Sequence, residues 1–443
     1  LEDLYLPYKP KRRTRATIAK EKGLEPLAKL IVSEKNISLS KYTEEQLEGA
    51  RDIVAEWISE NAVSRQKMRR YFNRNAVIKT SKAKDYKENS KYEELVGIKQ
   101  FAYNAPSHRV LALFRAEAEN ELKISILPED NKEAVEYLAK GFVRYNNSTS
   151  QEKLLACQDA YKRLLSPSIE NELRALLKEK ADEKAINVFS NNLRQLLMAS
   201  PLGEKPTLAI DPGIRTGCKL VCLNSNGKLL THDVIFPQNN SIEAEKKIVN
   251  LVKQHSIEAI AIGNGTFSKE TEEFIRNIKF DKKVIISLVN ENGASVYSAS
   301  EVAREELGDY DITVRGAVSI GRRLQDPLAE LVKIEPKSIG VGQYQHDVNQ
   351  NLLHESLHQT VESCVNQVGV ELNTASTQLL SYISGIGPVL AKNIVEYRNE
   401  NGAFCSRKDL LKVKRFGEKA FEQSAGFLRI RQGVNPLDNT AVH

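Results

Sequence analysis

The sequence predicts a multidomain, mostly α-helical protein with one α/β domain set between two helical regions. Three observations carry this. Residues 1–205 hold apolar residues at helical spacing. From residue 206 short apolar runs are joined by turns and then alternate with helices, the pattern of a mixed sheet covered by helices. Beyond about residue 340 helical spacing returns, now punctuated by glycines. The 443 residues suffice for two to four domains, and 41% hydrophobic content is enough for sizeable cores.

Each element follows in order. ARDIVAEWISENAVSRQKMRRYF places Ile53, Val54, Trp57, Ile58 and Val63 on helical spacing, and Thr43 with Gln46 forms a capping-box start. NKEAVEYLAKGFVRY and QEKLLACQDAYKRLL repeat that pattern. SIENELRALLKEKADEKAINVFSNNLRQLLMA is one long helical stretch. Together they make a helical scaffold, 1–205, closed by the break LGEKP. TLAID, CKLVCLN and LTHDVIF read as strands, with NSNGK a hairpin turn. SIEAEKKIVNLVKQHS, SKETEEFIRNI and SASEVAREEL read as helices between the strands IEAIAIGN and KKVIISLVNEN, giving an α/β domain over 206–335. A helical connector, 336–371, leads to two helical hairpins within 372–443.

Composition narrows the function classes. A net charge of +6 does not by itself imply a polyanionic partner; local clustering has to make that case. Cys157, Cys218, Cys222, Cys364 and Cys405 form no Cys-x-x-Cys pair and no zinc framework, so reduced, buried thiols and a cytoplasmic location are expected. No signal-peptide pattern and no apolar run of about 18 residues occurs, so no membrane partner is expected. The first residue is not Met and the chain ends abruptly at TAVH, which reads as part of a longer protein.

LAIDPGIRTGCKL carries the first chemical signal. A strand ends on Asp211, turns on Pro212 and Gly213, and resumes after Gly217. Nucleases of the RNase H type open this way, because two-metal phosphodiester cleavage needs carboxylates held rigidly at a sheet edge. Glu291, after VIISLVN, is a natural second ligand or a plain turn residue. Asp326, before Pro327, is a natural third ligand or a helix N-cap. GNGT, 263–266, reads as a phosphate-cradling turn or an ordinary strand-to-helix turn, with Thr266 or Ser268 as cap.

ISGIGPVLAKNIVEYR is the sharper signal, a helix-hairpin-helix pattern. Gly385 and Gly387 let backbone amides approach a phosphate, and Lys392 adds charge. A second copy, KVKRFGEK, supplies Lys412, Lys414, Arg415, Gly417 and Lys419. From Lys392 to Arg431 there are ten Lys and Arg against five Asp and Glu. The basic run YKPKRRTRATIAKEKG, 8–23, either grips phosphates or lies against acidic helices. HESLH, with His354 and His358, formally matches a zinc-protease pattern but has no third ligand in view.

Taken together, LEDLYLPYKPKRRTRATIAKEKGLEPLA, PSHRVLALFRAE, LAIDPGIRTGCK, VNENGASVYSASEVAREE, RGAVSIGRRLQDPLAELVKIEPKSIGVGQYQHDV, SGIGPVLAKNIVEYR and NPLDNTAVH resemble the Tex family of bacterial transcription accessory proteins, in order and over nearly the whole chain. The resemblance implies a helical scaffold, a YqgF domain of the RuvC-like RNase H type and tandem helix-hairpin-helix motifs. It also implies an N-terminal segment and a C-terminal OB-fold RNA-binding domain outside this chain. It matches Asp211, Glu291 and Asp326 to the acids of the nuclease pattern, with Asn292 in place of the usual Arg and no acid in GNGT. The resulting expectation is a transcription accessory factor that binds RNA or DNA through the backbone, without catalysis and without a required cofactor. The alternatives are a Mg2+-dependent nuclease or resolvase using the three acids, and a docking platform for RNA polymerase or other transcription factors.

Overall fold

The computed structural model describes Tyr5, Tyr8 and residues 13–431 and 433–442. The chain divides into two compact units, residues 1–185 and 186–443. The long helix Ser166–Leu197 runs across that division.

The first unit is helical, with one departure from expectation. A three-stranded antiparallel sheet lies inside the region expected to be helical throughout: β1 (Ala76–Lys82), β2 (Lys99–Phe101) and β3 (Leu122–Pro128), in the order β2-β1-β3. Its signal was the strict alternation of Leu122, Ile124 and Ile126, buried on every second residue. The helix Glu44–Glu60 does open on the expected capping box. The Thr43 hydroxyl accepts from the Gln46 amide at 3.3 Å, and the Gln46 side chain accepts from the Thr43 amide at 3.0 Å. Ile53, Val54 and Ile58 are buried as their spacing requires. Val63 is not, because Asn61 ends that helix, caps the next one, Ala62–Asn75, and resets the phase.

The second unit contains a five-stranded mixed sheet, order β6-β5-β4-β7-β8. The strands are β4 (Thr207–Asp211), β5 (Cys218–Leu223), β6 (Leu229–Ile235), β7 (Ala259–Gly263) and β8 (Ile285–Val289). β4, β5 and β6 are antiparallel neighbours, while β4, β7 and β8 run parallel. Alternation sends Leu208, Ile210, Cys218, Leu220 and Cys222 to one core and Ala209, Val221, Leu223 and Ala261 to another. The second core is closed by the helix Ile312–Gln325. It lies so near the sheet that a β-carbon at Gly321 would sit 2.6 Å from Leu223 and 2.9 Å from Ala209. Because β4, β7 and β8 are parallel, their carboxyl ends open on one edge, and Asp211, the GNGT turn and Glu291 gather there.

After the helix Gln350–Val368 come the two hairpins, joined by a short parallel pair, β9 (Val370–Glu371) and β10 (Leu428–Arg429). Among the described residues no helix is long and apolar enough to cross a membrane.

Candidate nucleic-acid interface and the acidic sheet end

Asp211 ends the central strand β4 and is half-buried. Burial first and the nearby Glu291 carboxylate second push its carboxyl up to about 6, with Lys219 working against both. Lys219 is its register partner on β5 and spends its ammonium on the Gly217 carbonyl at 3.1 Å and on the Thr216 carbonyl. Glu291 lies just past β8, its backbone amide donating a hydrogen bond to Asn264 Oδ1 at 3.1 Å. Its carboxylate occupies the hollow above the GNGT turn. A β-carbon at Gly265 would fall 1.9 Å from Glu291 Oε1, and one at Gly263 would fall 2.4 Å from Oε2. Oε2 is buried without a hydrogen-bond partner among the described residues.

This arrangement corrects the phosphate-cradle reading of GNGT: the protein's own carboxylate fills that space, and a negative group there repels phosphate. Nor do Thr266 or Ser268 cap the following helix. Phe267, with φ +74, precedes Ser268–Asn277 without a side-chain cap.

Asp326 does not join the other two acids. It caps the short helix Pro327–Leu331, accepting from the Ala329 amide at 3.0 Å. On the covering helix Gly316 stands beside Asp211, and a β-carbon added there would lie 4.0 Å from Asp211 Oδ2. Ten residues separate Gly316 from Asp326, about 15 Å along a helix axis. Two carboxylates can serve one hard cation, yet two-ion cleavage needs more. Among the described residues no group of three His, Cys, Asp or Glu is placed to hold a metal. The residues present therefore do not fit the two-Mg2+ arrangement. The zinc-protease match fails on the same ground: His354 Nδ1 is occupied by Glu335 at 3.0 Å, and His358 packs edge-on against Tyr382.

The hairpins are built on one plan, repeated thirty residues apart. In the first, Ile383 and Ile386 are buried and the Ile386 amide donates to the Ile383 carbonyl at 2.9 Å. In the second, Val413 and Phe416 are buried and the Phe416 amide donates to the Val413 carbonyl at 3.0 Å. Gly385 has φ +81, and its counterpart Arg415 has φ +66. Gly387 precedes the helix Pro388–Asn401 with φ −82, and Gly417 precedes Glu418–Ser424 with φ −94. No side chain caps either helix; Pro388 has no N–H to offer, so the Val389 and Leu390 amides stay available in the first and the Glu418 and Lys419 amides in the second.

The sequence matches a model described as "Tex central region-like" over residues 21–189, one described as "Tex protein YqgF-like domain" over 205–325, and a helix-hairpin-helix motif over 365–429. The chain belongs to the Tex family. It is 48% identical to "Uncharacterized protein YdcI" of Bacillus subtilis, covering all of this chain and 64% of that protein. It is 46% identical to "Transcriptional accessory protein Tex" of Neisseria gonorrhoeae, covering all of this chain and 61% of that one. With the human "S1 RNA-binding domain-containing protein 1" it shares 36% identity over 98% of this chain and 46% of the relative. This Tex-family chain thus spans less than two thirds of the length of these relatives.

The ten cations of the hairpin region of this Tex-family chain divide into two sets. Arg398 donates to the Leu372 and Ala375 carbonyls, and Arg407 is buried against the Leu428, Val442 and Thr440 carbonyls. Arg429 binds the Gly426 carbonyl, and Arg431 pairs with Glu204 at 3.0 Å. These four brace the fold. Lys392, Lys408, Lys412, Lys414, Arg415 and Lys419 are exposed. Lys412 is held by Asp409 at 2.7 Å, and Lys392 has only a loose contact with Glu396 at 3.8 Å. Lys408 sits with the other exposed cations, and sequence reading missed it. The basic run near the N-terminus falls partly outside the described residues. Within them Arg13 pairs with Glu21 of the same run, while Lys20 and Lys22 pair with Glu56 and Glu45 of the helix Glu44–Glu60, which supports the reading of an arm laid against an acidic helix.

Proposed function

We propose that this chain binds polynucleotide through the sugar–phosphate backbone at its first helix-hairpin-helix turn, without reading bases, as the nucleic-acid-binding core of a transcription accessory protein. Gly387 carries the proposal. Its φ of −82 is open to any residue, and a β-carbon there would meet no atom within 4 Å. Neither backbone nor packing requires glycine at this position. A glycine the fold does not need, in front of an uncapped helix N-terminus and one turn from exposed Lys392, suits the close approach of a phosphate. The human relative is named for an S1 RNA-binding domain, so RNA is the first polymer to test.

The acidic sheet end is inert in this reading. Asp211 and Glu291 meet, while Asp326 is engaged elsewhere and Gly316 stands beside Asp211. No cofactor is then required. Titrating labelled RNA and DNA with the wild type and with Lys392→Ala, across a range of salt, tests the binding half. The variant is expected to weaken binding to every sequence alike and to lower the salt slope by about one. Incubating the same polymers with Mg2+ or Mn2+ tests the inert half. Strand scission that Asp211→Asn abolishes would overturn it.

A further inference from the structure

The small sheet of the first unit has one face sunk in the core and another that is exposed around its lysines. Ile78, Thr80, Ile124 and Ile126 are buried on the inner face. Directly opposed residues of antiparallel strands share a face, so the register defines the other side. There Lys99 of β2 opposes Lys79 of β1, which opposes Ser125 of β3. In the next rows Phe101 aligns with the buried Val77 and the half-buried Leu127, and Ser81 aligns with Lys123. Phe101 ends the edge strand. Two residues on stands Tyr103, its ring centroid 5.8 Å from that of Phe101. The two side chains are 47% and 67% exposed, so neither ring is committed to the core.

Two lysines opposed across strands repel one another, a juxtaposition that costs stability. Glu129 offsets part of it by reaching Lys99 at 2.6 Å and Lys79 at 3.3 Å. Lys123 has no ion pair among the described residues, and three lysines against one glutamate leave the face positive.

We infer that this face, with Phe101 and Tyr103 as stacking platforms and Lys79, Lys99 and Lys123 as phosphate contacts, is a second binding surface, specific for single-stranded polynucleotide. Charge complementarity selects a polyanion. The exposed rings select unpaired bases, because stacking on aromatic side chains needs base faces that a duplex keeps inside. The surface is separate in sequence from the hairpins, which bind backbone in either form, so the two readings fail independently.

The test measures binding of a fluorescent oligouridine and of an RNA duplex of equal length by anisotropy. The wild-type chain is compared with Phe101→Ala/Tyr103→Ala and with Lys99→Ala/Lys123→Ala, each checked for folding by circular dichroism. The aromatic pair variant is expected to lose about tenfold in single-strand affinity with duplex affinity unchanged. The lysine variant is expected to flatten the single-strand salt slope by about one to two. Irradiating a bromouridine-substituted oligomer with the wild type should yield adducts on Phe101 or Tyr103 by mass spectrometry. Unchanged single-strand affinity in the aromatic variant, with adducts mapping elsewhere, would overturn this surface and leave the hairpin proposal standing. Loss of all polymer binding by the wild type would overturn both.

Discussion

At the sheet end, Gly263 and Gly265 leave a hollow that Glu291 fills; at the hairpin, Gly387 leaves a hollow that no atom of the protein enters. Both stretches read as glycine turns suited to phosphate. The difference lies in what a β-carbon would meet: at Gly265 a carboxylate oxygen 1.9 Å away, at Gly387 nothing within 4 Å. A glycine whose space is taken from inside serves the fold. One whose space stays open, in a conformation any residue could adopt, serves something outside. Gly385 belongs to the first kind despite its place in the hairpin. Its φ of +81 and the Gln423 β-carbon 2.7 Å from an added side chain tie it to the packing of the two hairpins, which Asn393 also joins through the Lys414 carbonyl at 2.7 Å.

Five substitutions break or sharpen this contrast. The largest effect is expected from Asp211→Asn. The raised carboxyl, about 6 against an ordinary 3.8, means the folded state holds a proton that the unfolded state has lost between those values. Stability therefore falls as pH rises through about 4 to 6 and stays low above it. Removing the charge is expected to stabilise the protein by up to about 3 kcal/mol at pH 7 and by almost nothing near pH 4. Denaturant melts at the two pH values decide it; equal gains at both would refute the buried repulsion.

Next comes Gly387→Val, expected to keep the fold and reduce polymer affinity about thirtyfold, or about 2 kcal/mol. Gly417→Val should act the same way but less, because the helix it precedes has only 7 residues and a weaker terminal field. A Gly387→Val protein that binds as tightly as wild type would mean the open space is accidental. Third is Gly265→Ala. The added methyl must drive the Glu291 carboxylate out of its hollow, at a cost of about 1 kcal/mol. With that neighbour gone, Asp211 should titrate closer to the ordinary aspartate range, as carboxyl-carbon NMR would show. The smallest effect is expected from Arg415→Gly. Relief of the left-handed backbone stabilises by about 1 kcal/mol, while loss of one exposed cation costs about threefold in affinity and about one in salt slope. A stability gain without a binding loss would make Arg415 a bystander.

Much of this was legible in the chain. LKISILP alternates and IEAIAIGN is a short buried run, so both strands are encoded locally, the first inside a stretch whose flanks are helical. The glycine pattern of ISGIGPVLAK identified the hairpin. That Asp326 caps a helix was one of its two open readings, and Pro327 at the first helical position was the clue. No local signal could show that Glu291 folds over GNGT, since 25 residues lie between Glu291 and Gly265 and a helix intervenes.

Outside the small sheet of the first unit, sequence alone determined the kinds of element, their order, the acid at the end of a central strand and the paired turns near the carboxyl end, because periodicity and turn chemistry act over a few neighbouring residues. Only the tertiary structure decided which acids meet, which cations brace carbonyls, and which glycine hollow stays empty. Those outcomes depend on groups far apart in the chain competing for the same few ångströms of space, and spacing along a backbone does not encode who arrives there.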